Sequence, residues 1–94
     1  MTESPTKTIQ VKMKSFKELN DFVKLANKCT NDVIASSGRY IVSAKSVMGM
    51  HSLDVFKPIK VEFYGEIPDE VLRDIGKFVY YKDIDNLFIR EIDK

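Results

Sequence analysis

An α+β domain with elements in the order β-α-β-β-α-β-α is predicted from three features of the sequence. Apolar residues alternate with polar ones at Ile9, Val11 and Met13 and again at Ile59, Val61 and Phe63, the two-residue period of a half-buried strand. From Phe16 to Ala26, and from Pro68 to Val79, the spacing changes to the three- and four-residue steps of an amphipathic helix. A glycine-bearing turn at Ser36-Ser37-Gly38-Arg39 separates two short apolar runs, the pattern of a hairpin. Four short strands and three helices in about 70 residues fit an open-faced sandwich, with an antiparallel sheet on one side and helices on the other.

In chain order, Met1 to Lys7 is polar, carries a proline and is expected to be frayed. In the strand that follows, Gln10, Lys12 and Lys14 oppose the apolar positions. In the first helix Phe16, Leu19, Phe22, Val23 and Ala26 form the core stripe, and Lys17, Glu18, Asp21, Lys24 and Lys28 fill the other side. The hairpin joins Asp32–Ala35 to Tyr40-Ile41-Val42. Lys45-Ser46-Val47-Met48-Gly49-Met50-His51-Ser52-Leu53 is a serine followed by a short amphipathic helix rich in methionine. Lys57-Pro58 punctuates before the last strand, and Gly65 ends it. Pro68-Asp69-Glu70 starts a third helix whose core stripe is Val71, Leu72, Ile75, Phe78 and Val79. The C-terminal extension, 80–94, is assigned as helix on Ile84, Leu87, Phe88 and Ile92, while Asp83-Ile84-Asp85-Asn86 also fits a turn before a short strand.

Length and composition narrow the chemistry. Ninety-four residues suit one domain, 1–94, without repeat or linker. Fifteen Lys+Arg against fourteen Asp+Glu leave a formal charge of +1, which gives no field for nucleic acid or an anionic membrane. One cysteine, Cys29, forbids an internal disulfide; it is expected at the end of the first helix, semi-buried and unactivated. A single histidine, His51, leaves no metal ligand set, and Asp83, Asp85, Glu91 and Asp93 lack calcium-loop spacing. No cofactor is implied. The N-terminus has no signal-peptide apolar core and no run reaches a membrane span, so the expected location is cytoplasmic.

The segment Lys45-Ser46-Val47-Met48-Gly49-Met50-His51-Ser52-Leu53 resembles the second-helix signature of the HPr phosphocarrier family of the bacterial sugar phosphotransferase system, differing at His51, where the family usually has methionine or another apolar residue. The element order agrees, and an ungapped overlay runs from about Ile9 through Asp69-Glu70. The resemblance implies an HPr-like fold. It also implies a site at the start of the first helix, where the family's histidine, followed by Ala-Arg-Pro-Ala, relays phosphate from enzyme I to the sugar-specific proteins. Here that stretch reads Ser15-Phe16-Lys17-Glu18-Leu19, with Ser15 for the histidine, Lys17 for the arginine and Glu18 for the proline.

These replacements have physical meaning. Relay needs an imidazole nucleophile whose phosphoramidate hands phosphate onward at a helix N-terminus, whereas serine gives a stable ester. Ser15-Phe16-Lys17-Glu18 is instead a capping box, in which Ser15 accepts from the N–H three residues on and Glu18 reaches back to the N-cap N–H. Lysine at 17 is a point charge without arginine's bidentate fork, and reads first as a solvated helix residue. Ser46 matches the serine that, in Gram-positive members, HPr kinase/phosphorylase modifies to create a corepressor for a catabolite-control transcription regulator. Serine is also a preferred N-cap in any protein, so regulatory and structural readings both stand. Val47, Met48, Met50 and His51 would lie on or beside the family's partner-docking face, with core packing the competing role for Met48.

Three functions follow. The first is a non-enzymatic regulatory or adaptor protein that has lost histidine phosphotransfer, as the catabolite-repression HPr proteins of bacilli have. The second is a true phosphocarrier with an unusual acceptor, Ser15 or His51. The third is an interaction domain sharing only the scaffold. Expected partners are proteins, with the chain monomeric or weakly dimeric through its tail.

Overall fold

The computed structural model describes residues 4–80. Its elements are β1 (Lys7–Val11), α1 (Phe16–Ala26), β2 (Val33–Ser37), β3 (Tyr40–Ser43), α2 (Val47–His51), β4 (Ile59–Phe63) and α3 (Asp69–Asp74). A short 3-10 turn, Ile75–Lys77, continues α3. The order is the predicted one, and the helix expected on Ile84, Leu87, Phe88 and Ile92 lies outside the described residues.

The four strands form one antiparallel sheet in the order β1-β4-β2-β3, so the first and last strands in sequence are neighbours. Its register explains the alternation. Ile9 stands opposite Val61, and Val61 opposite Ala35, which gives one row of the inner face; Gln10, Lys60 and Ser36 form a row of the outer face. A register slip of one residue would exchange these faces, so apolar burial fixes the pairing. The β2–β3 turn needs Gly38, whose φ of 60° is the left-handed conformation that glycine adopts without a Cβ penalty.

Under the helices the core is led by Phe22, Phe63, Met13, Leu19, Met50 and Ile59, all essentially inaccessible. Phe22 meets Phe78 edge-on with ring centroids 5.2 Å apart, which ties α1 to the turn after α3. Removing either ring would forfeit several kcal/mol, since burial and cavity terms add (Phe→Ala costs about 3–5 kcal/mol).

Four expectations need correction. The polar lead-in is shorter than Met1–Lys7: Lys7 already belongs to β1, and Thr6 donates its N–H to the Phe63 carbonyl at 2.7 Å and its hydroxyl to the Gly65 carbonyl at 2.8 Å. At the other end β1 stops at Val11, although Met13 stays buried with its N–H on the Val55 carbonyl at 2.8 Å. Leu72 is not core, because Val71 and Ile75, one turn apart, together with Phe78 fill the inner side, and the next position around the helix faces outward. Phe16 is also outside, 55% exposed, with its ring against those of His51 and Phe56 and not in the core.

Candidate functional site

Ser15 has extended backbone torsions and its Oγ accepts from the Glu18 N–H at 3.2 Å, so it is the N-cap of α1. Glu18 Oε1 accepts from the N–H of Lys14 at 2.9 Å, one residue further back than the predicted N-cap N–H. The outcome is the same in kind: a side chain of the helix satisfies a backbone donor in the approach to it, and a carboxylate occupies the space before the first turn. Lys17 is held sideways by Asp21 at 3.0 Å. Such an exposed i,i+4 pair contributes a few tenths of a kcal/mol, and it occupies the ammonium.

Three rings meet beside this mouth. Phe16 stacks on His51 at 5.0 Å between centroids and 21° between planes, and meets Phe56 edge-on at 5.1 Å. The first residue of α1 is thereby fixed to the last residue of α2 and to the loop before β4. Around them Val47 is 42% exposed and Met48 is 85% exposed, so Met48 does not pack in the core. The corresponding expectation for Met50 is corrected. Met50 is fully buried and supports this patch from beneath, because in a five-residue helix only one of the two methionines can face inward.

Ser46 lies at the opposite end of α2. Its Oγ accepts from the Gly49 N–H at 3.0 Å, closing the first turn. Gly49 lets α2 approach the sheet, since a Cβ there would stand 3.2 Å from Val42 Cβ. The segment before Ser46 is anchored on both sides. Asn27, the C-cap of α1, donates its side-chain amide to the Lys45 carbonyl at 3.0 Å and the Val23 carbonyl at 2.8 Å, and Lys45 Nζ donates to the Cys29 carbonyl at 2.7 Å.

These contacts order the candidate residues in space. The start of α1 touches the end of α2, while the end of α1 touches the residue before Ser46, so the two helices run in opposite directions. Ser15 and Ser46 therefore sit toward opposite ends of α1, a helix of 11 residues and so about 16 Å long. His51 is brought to the Ser15 end. Cys29 is buried, and burial pushes its thiol pKa up, with Lys45 opposing more weakly. Among the described residues no cluster of three or more His, Cys, Asp or Glu side chains is placed to hold a metal, and no helix is long and apolar enough to cross a membrane.

Sequence reasoning missed Phe16 and Phe56 as surface residues. The signal available was the aromatic residue directly after a capping serine, in the first turn of the helix.

No family model matches the chain, and no curated protein does. Among solved structures, it is similar to a phosphocarrier protein HPr from Bacillus anthracis str. Ames, at a TM-score of 0.62 and 28% identity over 79% of this chain and 94% of that one. With the strand order and three helices above, the chain has an HPr-like fold, a scaffold of the phosphocarrier type.

Proposed function

We propose that this chain is a non-catalytic regulatory or adaptor protein related to the sugar phosphotransferase system, which docks protein partners through Phe16, Val47, Met48 and His51 and is controlled by phosphorylation of Ser46. The observation that carries the reading is the sealed mouth of α1. Ser15 is engaged as its cap at the Glu18 N–H, and the Glu18 carboxylate holds the Lys14 N–H, so the residue at the N-cap is not an imidazole and a negative charge stands in the approach where a phosphoryl group would sit. The Ser46 hydroxyl belongs to an exposed residue and its modification would add a double negative charge next to the docking patch.

One observation favours a second reading. The His51 ring lies against Phe16 and so stands at the same helix mouth, where an alternative phosphate acceptor would have to be. A single experiment separates the two. The chain is incubated with phosphoenolpyruvate and enzyme I and weighed intact, before and after acid treatment. The expected result is no acid-labile phosphate; an acid-labile adduct lost in His51→Gln would replace the first reading with the second. Incubation with HPr kinase/phosphorylase and ATP should yield one acid-stable phosphate that maps to Ser46 and is absent from Ser46→Ala. An unmodified chain would leave only the third function, an interaction domain on a shared scaffold.

A further inference from the structure

We infer that the cavity between the end of β1 and the turn after α3 is a binding site for a small organic phosphate ester, held by the ammonium groups of Lys12, Lys14 and Lys77. The inference goes beyond the reading above and does not depend on what Ser15 and Ser46 do.

Two segments distant in sequence are tied together here by their backbones. The Lys12 N–H donates to the Phe78 carbonyl at 3.2 Å, and the Tyr80 N–H donates to the Gln10 carbonyl at 2.8 Å. A space of about 430 Å³ opens at this junction, with Lys12 and Lys14 on one side and the residues from Gly76 to Tyr80 on the other. Sites for small molecules span about 300–1,000 Å³, so the volume suits one such ligand.

Three positive side chains share that space. Met13 is buried, and Lys12 and Lys14, which flank it, are both exposed and leave the chain on the other side. Lys77 reaches the same space from the turn after α3. Among the described residues no carboxylate lines it. Glu18 and Asp74, close in sequence to these lysines, line the neighbouring groove along α1, which Lys77 also borders. Among the described residues the lysines in ion pairs are Lys17, Lys28, Lys57 and Lys60. Like charges gathered around one small space repel one another, and an anion of more than one charge relieves that repulsion.

The surrounding groups narrow the ligand. The N–H groups of Lys12, Met13, Lys14, Phe78, Val79 and Tyr80 all have acceptors within the chain, so recognition falls to the ammonium groups. Lysine meets phosphate as a point charge, and three of them match the nearly double charge of a phosphate monoester at neutral pH. The rest of the wall is organic in character. Val79 and Tyr80 are half-buried along it, Gly76 adds no side chain to fill it, and Lys12 Nζ stands 5.4 Å from the centroid of the Tyr80 ring.

The test titrates the full 94-residue chain with phenyl phosphate, inorganic phosphate and hexaglutamate, following backbone amides by nuclear magnetic resonance. Phenyl phosphate should give saturable shifts centred on Lys12, Lys14 and Gly76 to Tyr80, with affinity about fivefold or more above inorganic phosphate. Lys12→Gln, Lys14→Gln and Lys77→Gln should each weaken it about threefold or more, while Lys60→Gln on the outer sheet face changes it less than about twofold. Raising salt from about 0.02 M to about 0.5 M should weaken it about tenfold. Shifts that do not saturate, or an equal loss in Lys60→Gln, would overturn the inference, since either means diffuse attraction to surface lysines. Equal affinity for inorganic phosphate would overturn the assignment to an ester, and tighter binding of hexaglutamate at the same amides would give the cavity to an acidic protein segment instead.

Discussion

Replacing Ser15 with alanine tests whether this residue is a structural cap, because the bond it removes is isolated from the core. The hydroxyl accepts one hydrogen bond, 3.2 Å from the Glu18 nitrogen, at an exposed site. Helix α1 itself does not depend on that bond: Leu19, Phe22, Val23, Leu25 and Ala26 anchor it by burial. The expected loss is thus that of one N-cap, about 1 kcal/mol, and no partial unfolding. For a domain of this size that is a fall in melting temperature of roughly 4–8 °C, with the urea m-value unchanged. Ser15→Asp keeps an acceptor at the cap and should stay within about 0.5 kcal/mol of the parent, while Ser15→Gly should lose only a few tenths. Thermal and urea melts followed by far-ultraviolet circular dichroism measure all three. An unchanged melting temperature in Ser15→Ala, or a larger loss in Ser15→Asp than in Ser15→Ala, would refute the argument that Ser15 is there to close the helix.

Three further outcomes are expected. Met50→Ala should cost about 2–5 kcal/mol in urea denaturation, while Met48→Ala, at a residue 85% exposed, should stay within about 0.5 kcal/mol; equal costs would mean that the inward and outward methionines have been interchanged. Gly49→Ala puts a methyl 3.2 Å from Val42 Cβ and 3.3 Å from Ser46 Oγ, and should cost about 1–3 kcal/mol through overpacking of α2 on β3; a melting temperature at or above the parent's would contradict that close approach. Burial raises the Cys29 pKa in the folded chain, so the unfolded chain releases the thiol proton first, and stability present at neutral pH is lost as pH climbs from the unfolded thiol's pKa through the higher folded one. The difference in urea midpoint between the parent and Cys29→Ala should shift against the parent over that alkaline range, and a difference independent of pH would show that the thiol is not shielded.

Strand positions were legible because burial on a single sheet face imposes a two-residue period that survives in the sequence, as at Ile59, Val61 and Phe63. The capping serines were legible too, since their chemistry is local: Ser15 and Ser46 each accept from a backbone N–H three residues on. What sequence could not supply was the orientation of short helices. Over the five residues of α2 the period gives no decision between Met48 and Met50, and only the close fit of Gly49 on Val42 selects the inward one. Phe16 failed for a related reason: periodicity says which side of α1 it occupies but not whether that end of the helix is covered. The meeting of Phe16, His51 and Phe56 spans three separate segments and has no local signature.

The double anchorage of Lys45 has a consequence for whatever acts on the neighbouring serine. Its carbonyl is gripped by Asn27 and its ammonium reaches the backbone of Cys29, so the approach to Ser46 is moored to the far end of another helix. An enzyme or binding protein arriving there meets a preset contour, assembled from segments distant in sequence, in place of a pliable strip of chain. A synthetic peptide copying residues 43–53 would carry the same letters without that contour, and should be a far poorer substrate than the folded domain.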